Sequence, residues 1–216
     1  MPDRAKTKIQ ERRFDFQVRA AEAPAGEQPE LWAEGYATRF ESPTTLYEGQ
    51  SYVITEQIMR GSFDSCNMTD VIFNYNHGGK VMARTRNKTL QLAVDNDGLF
   101  IRARLDGTEE GRKLYDEIKG GYIDRMSFRF SVEEEKRIET DGAKGLQIEY
   151  QISKVKKLYD VSAVDIPAYD DTSIEARRVT AEEILEERER MAAEAAAALE
   201  LTRARAKILR LTLRGE

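Results

Sequence analysis

Residues 90–105, LQLAVDNDGLFIRARL, place the tightest constraint on how this chain can fold. Apolar and polar residues alternate from Leu90 to Val94 and again from Leu99 to Leu105, and a period of two marks a half-buried strand. Asn96-Asp97-Gly98 between the two runs supplies turn residues, so the stretch reads as an antiparallel β-hairpin. A domain built around such a hairpin has to bury one face of a sheet.

The rest of the first two-thirds of the chain follows the same pattern. Phe14, Phe16 and Val18 alternate with polar residues, 21–30 (AEAPAGEQPE) reads as a loop, and Leu31 to Phe40 reads as a strand. ESPTTLYEGQ is turn-like, Tyr52 to Ile58 is strand-like, and VIFNYN is a short β-prone run that ends at His77-Gly78-Gly79. Ile123 to Val132 is expected to be a strand carrying Met126-Ser127-Phe128. Residues 133–152 follow as a charged hairpin turning at Asp141-Gly142, and Val155 to Ile166 is the last core strand, stopped by Pro167.

Two helices break the pattern. Thr108 offers an N-cap, Glu109 and Glu110 fill the first turn, Leu114, Tyr115 and Ile118 fall at helical spacing, and Gly120-Gly121 ends the run. From Thr180 onward a capping-box pattern opens about 30 helix-favouring residues without proline or interior glycine. Acids dominate 182–200 and bases dominate 201–216, an order that complements the helix dipole. Its apolar stripe (Ile184, Met191, Ala195, Leu199) is thin, which suits weak packing or pairing with other helices. The expected fold class is mainly β with short helices, α+β. It comprises a flexible N-terminus (1–11), a β domain (12–175) and a helical C-terminal tail (180–214).

Composition narrows the chemistry. A net charge of -5 gives no basic footprint, so nucleic acid is not an expected partner. No stretch of about 18 apolar residues occurs, and MPDRAKTKIQERR has no apolar leader core, so no membrane association is expected. One cysteine, Cys66, rules out an internal disulfide framework and a Cys-rich zinc site. The expected setting is reducing and cytoplasmic, with no cofactor and no metal.

His77 is the single histidine. A lone histidine is commonly structural, yet this one lies where a β-run gives way to two glycines, beside backbone that a substrate chain could approach. Ser127 lies between Met126 and Phe128 in an alternating strand. Acyl transfer needs a hydroxyl near an imidazole and a group that fixes the imidazole tautomer. Asp160 and Asp165, in LYDVSAVDIP, are the candidate acids; alternation puts Asp160, Ser162 and Val164 on one face, opposite Val161, Ala163 and Asp165. Arg129 alternates onto Ser127's side, where it is a candidate helper at the oxyanion beside the default backbone N–H donors, and a surface arginine is the preferred reading. Gly78-Gly79-Lys80 lacks the remaining elements of a phosphate loop, and Asp95-Asn96-Asp97-Gly98 has the wrong spacing for a calcium loop. A Cys66–His77 thiol dyad is the rival to serine, although a lone cysteine there reads as a packed residue.

The residues taken in order resemble the tailed-phage prohead (capsid maturation) protease family, related in fold to the herpesvirus assemblins. The similarity runs through Gly35-Tyr36-Ala37, Glu56 to Phe63 (EQIMRGSF), Asn76-His77 with Arg84, the 90–105 hairpin and Gly121-Tyr122-Ile123. It continues through Met126-Ser127-Phe128-Arg129-Phe130 and Leu158-Tyr159-Asp160-Val161-Ser162 to Ile166-Pro167-Ala168.

The resemblance implies an assemblin-like closed β-barrel and a serine endopeptidase acting inside the assembling procapsid in the host cytoplasm. Its expected substrates and partners are scaffold or the scaffolding segment of the major capsid protein, together with the protease itself. Self-association as a dimer is a further expectation. By position, His77 matches the family histidine, Ser127 the serine of its MSF-like motif, and Asp160 the acid, most often glutamate, before Val-Ser. Assemblins use a second histidine as third member, and none exists here; the third group is therefore a carboxylate, another polar group or water. Gly78 follows His77, so a helper acid cannot come from that position.

Overall fold

The computed structural model describes residues 9–14, 19–20, 30–143, 145–165 and 171–212. The elements in chain order are β1 (Ile9–Phe14), β2 (Arg19–Ala20), β3 (Trp32–Arg39), β4 (Thr44–Glu48), β5 (Tyr52–Ile58), β6 (Ile72–Tyr75) and β7 (Gly78–Arg84). They continue with β8 (Leu90–Val94), β9 (Gly98–Arg104), α1 (Glu109–Lys119), β10 (Arg125–Gly142), β11 (Gly145–Val164) and α2 (Asp171–Thr212). The 90–105 hairpin forms as β8 and β9, with the Asp95 carboxylate accepting the backbone N–H groups of Asp97 and Gly98 across the turn. Thr108 caps α1, its hydroxyl accepting the Gly111 N–H at 2.9 Å.

The long antiparallel pair β10–β11 organises a seven-stranded sheet. The first half of β11 pairs in parallel with β5, which pairs with β4, while its last residues pair in parallel with β6, which pairs with β7. β1 adds antiparallel to the other edge of β10. A four-stranded sheet has the order β2-β3-β9-β8.

Period-two alternation sorts the rows across β10, β11 and β6. Phe128–Val161–Phe73 and Met126–Ala163–Tyr75 form apolar rows, and Phe128, Val161, Phe73, Met126 and Ala163 are wholly buried. They belong to one core with Leu99, Ile101 and Ala103 of β9 and Leu114 and Ile118 of α1. Each large side chain removed from water there contributes about 1.5–3 kcal/mol. The intervening rows, Ser127–Ser162–Asn74 and Arg129–Asp160–Ile72, carry the polar groups.

Several expectations need correction. The closed barrel does not form: among the described residues the strands make two separate sheets. β11 divides its pairing between β5 and β6, so the ladder forks instead of returning on itself, and closure requires an unbroken ring of strand pairs. Residues 9–11, expected within a flexible N-terminus, are part of β1, because the β10 edge supplies backbone partners that need no apolar pattern. Thr44–Glu48, turn-like in sequence, is strand β4 for the same reason. The second helix starts at Asp171, so Thr180 lies inside it and not at its N-terminus; no residue between 171 and 180 is a proline or glycine.

The chain divides into two compact units, Met1–Ala176 and Arg177–Glu216. In the second, Met191, Leu199 and Leu201 are exposed. Among the described residues no helix is long and apolar enough to cross a membrane. Val18, Ile166, Pro167 and the 21–29 part of the expected loop lie outside the described residues.

Candidate active site

His77 occupies the tip of the β6–β7 hairpin. Tyr75 pairs with Gly78, leaving Asn76 and His77 as a two-residue loop, and both have positive φ (48° and 55°). Positive φ at both central residues is the mark of a type I′ turn, whose twist matches that of the flanking strands. Asn and His tolerate this region better than most side chains do. The sequence pattern ends the strand near His77; the turn geometry aims its side chain.

That aim brings the three candidates together. His77 Nε2 lies 2.6 Å from Ser127 Oγ, and His77 Nδ1 lies 2.5 Å from Asp160 Oδ1. A carboxylate can only accept, so Nδ1 carries the proton and donates it to Asp160, leaving Nε2 to accept the Ser127 hydroxyl. The imidazole is wholly buried, the Asp160 side chain is 7% exposed, and Ser127 has no accessible surface. In so dry a setting each of these contacts is stronger than in water.

Asp165, the other candidate acid, is engaged elsewhere. It accepts the Tyr75 hydroxyl at 2.8 Å, and its backbone N–H donates to the Asn76 side chain at 3.3 Å. This bond is the main reason the Tyr75 phenol titrates above its ordinary value, with burial and the Asp165 charge adding to it. Cys66 is half-buried, and burial pushes its thiol up to about 11, so it holds its proton at neutral pH and is a poor nucleophile.

Two further residues touch this set, neither of which the sequence singled out as a member of it. Ser162, register partner of Ser127, is wholly buried and hydrogen-bonded to the buried Asn74 side chain. Its Oγ accepts the His77 backbone N–H at 3.3 Å and lies 3.1 Å from Nδ1 and 3.2 Å from Asp160 Oδ1. Alternation already placed Ser162 on the Asp160 face, so a signal for it existed. Arg129, read as a surface arginine, donates from Nη1 to the His77 carbonyl at 2.9 Å and stands 4.0 Å from Asp160 Oδ2. Further out, Arg84 grips Asp70 with two bonds of 2.7 and 2.9 Å, tying the hairpin's open end together. Among the described residues no group of three His, Cys, Asp or Glu side chains is arranged to hold a metal ion.

Such a set can activate a hydroxyl for attack on a carbonyl. A family model described as caudovirus prohead serine protease matches residues 14–187. Among solved structures, the bacteriophage T4 capsid assembly protease, gp21, is similar over 74% of this chain and 98% of that one, with 15% identity and a TM-score of 0.41. No curated protein matches the chain.

Proposed function

Since the chain belongs to the caudovirus prohead serine protease family, we propose that it is a serine endopeptidase acting through Ser127, His77 and Asp160. The observation that carries this reading is the continuous Ser127–His77–Asp160 hydrogen-bond line in a buried site.

In the proposed mechanism, Ser127 Oγ attacks the scissile carbonyl as its proton passes to His77 Nε2. The imidazolium then protonates the leaving amine, and water enters by the same route to release the acyl group. Asp160 holds Nδ1–H throughout, which keeps Nε2 free to accept and stabilises the transient cation.

The substrates under this reading are phage scaffold, or the scaffolding segment of the major capsid protein, and the protease itself. It works inside the procapsid in the host cytoplasm, with a dimer as the working form. The C-terminal helix serves as a tail that recruits the enzyme to scaffold; the exposed Met191 and Leu199 suit pairing with other helices.

Co-expression with the phage capsid and scaffold proteins tests the proposal. Ser127→Ala should abolish processing of both. Unchanged processing would leave a non-catalytic assembly factor as the better description.

A further inference from the structure

We propose that Arg129 is a positioning residue: it clamps the His77 carbonyl and thereby holds the imidazole between Ser127 and Asp160. The inference rests on the serine-protease reading and adds to it a group outside the Ser–His–Asp set.

The argument begins with the turn. A two-residue loop with positive φ at both positions costs about 1–2 kcal/mol for each non-glycine residue, so the surroundings must hold it. Asn76 is pinned through its N–H to Ala163 O at 3.0 Å and through its side chain to the Asp165 N–H. His77 is pinned at its N–H by Ser162, at 3.3 Å. Its carbonyl belongs to a central turn residue, outside the ladder bonds of the hairpin, and Arg129 Nη1 donates to it at 2.9 Å. Ser162 and Arg129 thus hold the two peptide groups that flank the His77 Cα, one through its N–H and the other through its carbonyl. Release of the carbonyl side would let the Cα shift and carry the ring away from Oγ and Asp160 together.

Strand register explains why this residue can do it. Arg129 is the partner of Asp160 across β10–β11, on the same side of β10 as Ser127, and the ladder shifts register immediately after it, between Arg129 and Phe130. A bulge at that point re-aims the strand beside the site. The guanidinium is a rigid planar fork, so an N–H on one edge of it can meet the carbonyl while Nη1 remains 4.0 Å from Asp160 Oδ2. Its side chain is 37% exposed, which hides the role from any judgement based on burial.

The test uses the full-length chain and a fluorophosphonate probe. Ser127 Oγ bonds to phosphorus, fluoride leaves with the bonding pair, and the Oγ proton passes to His77 Nε2, so the labelling rate reads imidazole placement. Arg129→Ala should lower kinact on the order of 10–100-fold, as a misplacement near 1 Å does, with KI changing less than about threefold. Arg129→Lys should recover most of the rate, and added guanidinium ion should accelerate Arg129→Ala. If Arg129→Ala does not fold, Arg129→Met, which keeps the apolar stem, replaces it.

A kinact within about twofold of wild type, a loss confined to KI, or no recovery with either lysine or guanidinium would overturn the proposal. Ser127→Ala separates the two levels. If it labels as fast as wild type, or if wild type does not label, the serine-protease reading fails and takes this inference with it. If it is silent while Arg129→Ala labels normally, the inference alone fails.

Discussion

Ser127 and Ser162 are direct partners across the β10–β11 ladder, so the proposed nucleophile and the hydroxyl that holds the His77 N–H stand side by side on one sheet face. One alternation further along, Arg129 and Asp160 repeat the arrangement. The histidine is the one member delivered from outside this pair of strands. Its hairpin is hydrogen-bonded to β11 through β6, and its loop folds back over the polar rows.

The two acids of LYDVSAVDIP should separate cleanly. Asp160→Asn keeps the shape but offers an amide to Nδ1, favouring the wrong tautomer, and should slow labelling by a serine-directed phosphonate by about 10³–10⁴-fold. Asp165→Asn removes the charge that accepts the Tyr75 hydroxyl, away from Nδ1, and should label within about threefold of wild type. The reverse ranking would make Asp165 the orienting acid.

Asn74 and Ser162 should act as one unit. Ser162→Ala leaves the His77 N–H and the Asn74 amide buried without their partner, an expected loss of about 1–3 kcal/mol. In a double-mutant cycle with Asn74→Ala, followed by urea denaturation, a coupling energy of at least about 0.5 kcal/mol is expected. Additive losses would mean the two side chains do not support one another.

At Asn76 backbone conformation and side-chain bonding can be told apart. Asn76→Gly keeps the positive φ and loses the bond to the Asp165 N–H, whereas Asn76→Ala loses the bond and also strains the backbone. The alanine variant should be the less stable by roughly 1 kcal/mol. Equal melting temperatures would argue against a strained turn.

Asp70 gives the pH dependence. The hydrogen bonds from Arg84 hold its carboxyl below the ordinary aspartate value, with the Arg84 and Arg86 charges adding to them. A depressed carboxylate contributes stability that is fully present above the unfolded value, near ~3.9, and is lost as pH falls through the lower folded value. Asp70→Asn should therefore lower Tm at pH 7, and the gap to wild type should close in strong acid. A gap that stays constant from pH 7 down to about pH 2 would show that charge is not what ties the hairpin's end.

Much of this protein is written locally. The 90–105 hairpin, the Thr108-capped helix and strands β3 and β5 each follow from periodicity and turn residues within a few positions, because the forces that shape them act over the same short range. Ser127, His77 and Asp160 were identified in the sequence as candidates, and the alternation of 159–165 already put Ser162 beside Asp160.

What tertiary structure alone decided was register and reach. The strands β1 and β4 have little apolar pattern and exist because a neighbouring edge offers backbone partners. The forked pairing of β11, which replaces the expected barrel, depends on segments nearly a hundred residues apart. The same holds for the choice of Asp160 over Asp165 beside Nδ1 and for the passage of Arg129 from surface residue to partner of the His77 carbonyl. Local propensity says which face a side chain takes. Only the pairing of distant strands fixes which side chains meet across it.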